Sequence, residues 1–180
     1  MNKFPAYLLL FLLLAGCSGE GDQSDSQSGA PDYGSEDIDR APIIKQAVFS
    51  DLDGNEVTLA DFRGKVLVID FWETWCGPCL QVFPALQDLR EEYPEDFEVL
   101  AVTLGMMEGP EEAREFRAEH GYDFQFLYDS NAVSEDLGIY SIPFKMYIDP
   151  NGELIKTDIG SRGREGDYES ALEVIRKYAN

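Results

Sequence analysis

Two of the chain's three cysteines, Cys76 and Cys79, stand two residues apart in Trp75-Cys76-Gly77-Pro78-Cys79. The apolar run Val66 to Phe71 precedes them and the periodic stretch Leu80 to Tyr93 follows, an order that predicts a buried strand, a tight turn and a helix. At that spacing both thiols fall on one face of the helix's first turn, near enough to close a disulfide with little backbone movement. Cys76 sits where unpaired backbone N–H groups and the positive end of the helix dipole favour an anion, which marks it as the nucleophilic thiolate. Cys79, one turn deeper, is then the thiol that resolves a mixed disulfide. The competing readings are a zinc half-site and an inert structural disulfide. Zinc needs two further ligands, and the only other cysteine is Cys17 and the only histidine His120. His120 stands beside Gly121, where a cation near a helix end is ordinary.

The elements that must position this pair can be read in order. Gln46 to Ser50 and Glu56 to Leu59 flank the turn residues Asp51 to Asn55 and predict a β-hairpin. Val82, Phe83, Leu86, Leu89 and Tyr93 form the apolar face of the helix after the cysteines, with Pro84 expected to kink it. A strand over Phe97 to Leu104, an acidic helix from Glu111 to His120, a short strand over Phe124 to Leu127 and a short helix over Asn131 to Leu137 come next. Phe144 to Ile148 and Glu153 to Ile159 are strands joined by a turn at Asp149 to Gly152, and an amphipathic helix over Asp167 to Tyr178 ends the chain. Strands and helices alternating around the dithiol predict an α/β domain with a mixed central sheet flanked by helices, spanning residues 42–180.

The first forty residues read differently. Lys3 and the apolar Phe4 to Leu14 form a signal-like segment too short to span a bilayer, which takes about 20 residues. Leu14-Ala15-Gly16-Cys17 then resembles a bacterial lipobox, so residues 1–16 are expected to be removed and Cys17 to carry lipid. A plain secretory signal is the alternative. Acyl chains at ~0.8 kcal/mol per buried methylene would hold the protein firmly on a membrane. Ser18, rather than an aspartate, follows Cys17, which leaves inner and outer membrane both open. Residues 17–41 are rich in Ser, Gly, Asp and Gln, with too little apolar surface to offset chain entropy, and predict a disordered acidic tether reaching roughly 25–30 Å. The whole chain has 35 acidic against 14 basic residues, a net charge of −21, which argues against nucleic acid or anionic membrane surfaces as direct partners. Such acidity serves solubility and recurs in high-salt adaptation; composition accommodates both.

The stretch Val68 to Cys79 resembles the active-site segment of thioredoxins, and roughly residues 46 to 178 resemble the TlpA/ResA group of extracytoplasmic thioredoxin-like proteins. The hairpin with its Phe62-Arg63-Gly64-Lys65 exit is similar to that group's N-terminal extension, and residues 111–137 to its central helix-strand insertion. The resemblance implies a thioredoxin-like fold and a thiol-disulfide oxidoreductase that needs no cofactor beyond its own Cys76-Cys79 disulfide. Its substrates would be protein thiols and disulfides, contacted by Trp75, Gly77, Pro78, Ile142 and a cis Pro143, where the backbone just before the proline pairs with an extended substrate segment. It also implies a proton-exchanging role for Asp70, which stands where thioredoxin places its buried acid. Burial would raise the pKa of that carboxyl and let it trade a proton with Cys79. Two departures stand out: Val99 to Leu104 contains no lysine to match thioredoxin's partner for the acid, and Glu73 adds negative charge close to Cys76.

Gly-Pro between the cysteines is the dipeptide of reducing thioredoxins, so the resemblance favours reduction of protein disulfides, including reduction that keeps apocytochrome c thiols ready for haem. Electrons would come from a membrane thiol carrier of the DsbD/CcdA type, and the site would lie on the extracytoplasmic, periplasmic side. Oxidising or isomerising exchange is the alternative, as is a redox-sensing or binding module without enzymatic activity. A peroxiredoxin wants threonine where Glu73 stands, and a copper chaperone of the Sco kind wants three residues between its cysteines.

Overall fold

The computed structural model describes residues 38–179. Expectations that fall on the signal segment, on Cys17 and on tether residues 17–37 lie outside the described residues. A six-residue helix, α1 (Arg40–Lys45), begins inside the stretch expected to be tether, because Asp39 caps it by accepting a hydrogen bond from Ala41 N and Ile44 is fully buried.

The hairpin strands are β1 (Val48–Asp51) and β2 (Glu56–Thr58). The Asp51 carboxylate accepts from the backbone N–H groups of Asp53 and Asn55 and so ties the turn between them. After a 3-10 turn at Leu59–Phe62 comes β3 (Val66–Trp72), seven residues that are all buried. The order then runs α2 (Gly77–Glu92), β4 (Phe97–Thr103), α3 (Pro110–His120), β5 (Gln125–Tyr128), α4 (Val133–Asp136), β6 (Phe144–Ile148), β7 (Leu154–Ile159) and α5 (Gly163–Tyr178). α2 runs on through Pro84 as one helix.

The seven strands form one mixed sheet in the order β2-β1-β5-β4-β3-β6-β7. β3 is parallel to β4 and antiparallel to β6, so it is hydrogen-bonded on both edges and lies inside the sheet. That explains a run apolar at every position but Asp70, since a strand covered on both faces has no solvent side. Alternate residues serve opposite layers. Val66, Val68 and Trp72 pack under α2, α3 and α5, while Leu67, Ile69 and Phe71 pack with Ile44 of α1 and with Val133 and Leu137 at α4. Trp72 and Phe83 anchor the first layer, with ring centroids 4.8 Å apart and Phe116, Phe124 and Phe126 around them. His120 belongs to the rim of this aromatic cluster, stacked on Phe116 at 4.1 Å.

Candidate active site

β3 delivers the chain to the dithiol and α2 carries it away. Cys76 is the N-cap of α2 and Cys79 lies one turn in, so the pair stands at the helix start where the sequence pattern put it. The two sulfurs are joined in a disulfide across a Cα–Cα distance of 5.3 Å. Cys79 N–H donates to Cys76 O at 2.9 Å and is shared with Cys76 Sγ, 3.3 Å away, so an amide of the first turn already reaches the sulfur that must carry negative charge on reduction. Cys76 is 5% exposed and Cys79 fully buried, the asymmetry an attacking and a resolving thiol require. Gly77 and Pro78 form the exposed first turn, and Pro78 needs no N–H there because the helix has no acceptor for it.

Beside the disulfide runs a groove of about 540 Å³ whose walls include Trp75, Leu104, Met106, Tyr140 and Ile142. Trp75 is half exposed, and Met106, Met107 and Tyr140 are more open still, an unusual display of large apolar side chains on so acidic a chain. The Ile142–Pro143 peptide is cis; Pro143 is buried, and Ile142 lines the same groove as Trp75. Gly105 turns the chain out of β4 at φ +79°, where a Cβ would meet the Tyr128 hydroxyl at 2.6 Å, so no other residue fits that wall without a shift.

Asp70 is fully buried in β3 on the face covered by α2 and α5, the layer that also holds Cys79, and neither of its oxygens has a hydrogen-bond partner among the described residues. Burial pushes its pKa up from 3.8 to about 8, against the pull of Lys145 and with a further push from Asp167. At neutral pH this carboxyl is mostly protonated and within reach of giving up its proton. The lysine missing from β4 is therefore not missing from the site. Lys145 lies on β6 in direct register with Asp70, 1% exposed, with Nζ 3.0 Å from Asp167 Oδ1. Sequence reading passed over it because Phe144 to Ile148 scans as an apolar strand. The available signal was a lysine inside a run too short and too apolar to spare a solvent face.

Glu73 lies in a buried setting that bears on its charge. Its side chain is buried, Oε1 accepts from Met106 N at 3.0 Å, and burial together with the neighbouring Glu108 carboxyl raises its pKa. The negative charge expected beside Cys76 is thus pushed toward the neutral acid. Glu108 in turn accepts from Thr74 N and from the Thr74 hydroxyl, tying the segment before Cys76 to the loop after β4. Among the described residues no helix is long and apolar enough to cross a membrane.

Comparison with known proteins agrees with this geometry. The Redoxin family profile matches residues 36–175. The thiol-disulfide oxidoreductase ResA of Geobacillus thermodenitrificans is 34% identical over 131 residues, covering 72% of this chain and 74% of its own. Among solved structures, a putative thiol:disulfide interchange protein DsbE from Chlorobium tepidum superposes with a TM-score of 0.63 at 29% identity, covering 73% of this chain and 91% of its own. The exposed lipoprotein thioredoxin Etrx1 of Streptococcus pneumoniae gives 0.58 at 26% identity, covering 71% and 98%.

Proposed function

The chain belongs to the Redoxin family and is a thiol-disulfide oxidoreductase of thioredoxin-like fold, and from that premise we propose that it reduces disulfides of extracytoplasmic proteins while held to a membrane by lipid on Cys17. The observation that carries the reading is the Cys76-Cys79 disulfide at the start of α2, bordering an apolar groove between Trp75 and Ile142. In the reduced enzyme the Cys76 thiolate attacks one sulfur of the substrate disulfide. That S–S bond breaks, a Cys76–substrate disulfide forms, and the substrate's other sulfur leaves as a thiolate that takes up a proton. Asp70, as the carboxylate, then accepts the Cys79 proton; Cys79 attacks Cys76 Sγ, closes the intramolecular disulfide and releases the second substrate thiolate, which Asp70 protonates. Two electrons pass from the enzyme to the substrate, and a membrane thiol carrier of the DsbD/CcdA type restores the dithiol.

Trp75, Gly77, Pro78, Ile142 and Pro143 serve as the substrate-contacting surface, the backbone at Ile142 pairing with an extended stretch beside the substrate cysteine. The reducing direction is supported by Gly77-Pro78 between the thiols, a disulfide of apocytochrome c being one substrate of that class. The lipid anchor is supported by the lipobox-like Leu14 to Cys17 and by a relative described as an exposed lipoprotein. The test is the equilibrium of the dithiol against glutathione together with dithiothreitol-driven reduction of insulin. Rapid insulin reduction and a potential near that of thioredoxin, about −270 mV, support the reading; a potential near the strongly oxidising ~−120 mV with no insulin reduction overturns the direction.

A further inference from the structure

Lys145 and Asp167 are both 1% exposed, and they meet beneath α5 rather than at the surface. Lys145 Nζ donates to Asp167 Oδ1 at 3.0 Å and to Gly160 O at 2.6 Å, which leaves its third N–H without a partner among the described residues. Asp167 is pinned on its other oxygen by the Ser161 hydroxyl at 2.7 Å and Arg162 N at 3.1 Å. Across one strand, both Asp70 oxygens are orphaned. An unused ammonium hydrogen and two unused carboxyl oxygens thus project from register partners into one closed layer. Groups of this kind are rarely buried without a reason.

We propose that the buried Lys145–Asp167 ion pair sets the charge state of Asp70, with β6 and α5 supplying the charges that β4 lacks. With Asp70 protonated the three side chains sum to zero, and with Asp70 ionised they sum to −1. A closed apolar layer favours the neutral set. Lys145 keeps the ionised set accessible, while Asp167 holds Lys145 back from pairing outright with Asp70, which would leave it a permanent carboxylate. This face also carries Cys79 from α2, Trp72 Nε1 of β3 and Thr103 Oγ1 of β4, the last two without a hydrogen-bond partner among the described residues, and Tyr147 from β6, whose hydroxyl is 3.5 Å from Ser170 Oγ. Asp158 of β7, the register partner of Lys145, accepts from Ser170 and pairs with Arg162 at 2.6 Å and Lys156 at 3.8 Å, and β4 places Ala101 directly opposite Asp70. Lys145 and Asp167 are positioning residues that act through Asp70. The inference therefore rests on Asp70 exchanging a proton with Cys79, and its test separates the two.

The experiment follows the Asp70 carboxyl directly, by carbon-13 NMR of the reduced full chain, alongside the pH profile of mixed-disulfide resolution by Cys79. Lys145→Met should raise the Asp70 midpoint by about one pH unit or more and slow resolution at pH 7 about tenfold. Asp167→Asn should lower the midpoint by about one pH unit, and Lys145→Arg, which keeps the cation, should hold it within about half a unit. Loss of packing would move the two charge-removing variants the same way, so opposite shifts are the signature. If Lys145→Met does not fold, Asp167→Asn against Lys145→Arg decides alone. Unmoved midpoints, or shifts of one sign, overturn the proposal. Opposite shifts that the resolution rate does not follow uphold it and instead refute Asp70 as the base.

Discussion

Replacing Asp70 with asparagine removes a titratable group from the layer beneath the active site, and the consequence for stability can be worked out. In the unfolded chain the carboxyl ionises at its ordinary 3.8, and in the folded protein at about 8. The folded state therefore prefers the protonated form. The group's contribution is most favourable below pH 3.8, declines as pH rises, and is lost once pH passes about 8. At roughly 1.4 kcal/mol per pH unit, the wild type at pH 7 carries a cost of about 4 kcal/mol relative to acid conditions, and asparagine carries none of it. Near pH 4.5 both side chains are neutral and equally short of partners, so the proteins should agree within about 1 kcal/mol. At pH 7 the variant should lead by roughly 3–4 kcal/mol. Urea unfolding with the disulfide intact, taken from pH 4.5 to 8, measures this. Curves for the two proteins that run parallel across that window would refute the reasoning, because they would mean Asp70 titrates alike folded and unfolded. The same variant should slow resolution of mixed disulfides while becoming more stable, a combination that damage to the fold does not produce.

Other outcomes follow from other parts of the molecule. Cys17→Ser should release the protein from membranes or leave its signal unprocessed, read by fractionation and intact mass; unchanged membrane retention and mature mass would dismiss the lipid anchor. Phe83→Ala empties the middle of the aromatic layer beside Trp72 and should cost about 3–5 kcal/mol in denaturant unfolding; a loss under 1 kcal/mol would mean the layer collapses to fill the gap. Glu73→Gln should speed alkylation of reduced Cys76 most at high pH, with the gain shrinking as pH falls, since burial and Glu108 raise the pKa of that acid. A gain that does not change with pH would show that Glu73 does not titrate beside Cys76.

The dithiol was legible in the sequence because its chemistry is local: spacing, the preceding apolar run and the following helical period belong to one continuous stretch. The central strand was legible for the same reason, seven buried residues in a row having few other homes. What the sequence hid is what the topology assembles. Lys145 is 75 residues from Asp70 along the chain and reaches it only because β6 pairs with β3 in that register. Glu108 binds back to Thr74 from the loop after β4, so the charge state of Glu73 could not be judged from its neighbours in sequence. α1 escaped notice because a six-residue helix gives almost no periodicity, and its one capping signal, Asp39, sits in a run of similar residues.

The claim on which the rest depends is that Cys76 attacks and Cys79 resolves. It is tested most directly by incubating Cys79→Ser and Cys76→Ser, each reduced, with a disulfide-bonded protein substrate and measuring the intact mass of what forms. The structure predicts a stable one-to-one mixed disulfide on Cys76 in the first variant and little or none in the second, as Cys79 is fully buried beneath the helix start. Equal adducts on both variants, or an adduct only through Cys79, would contradict it.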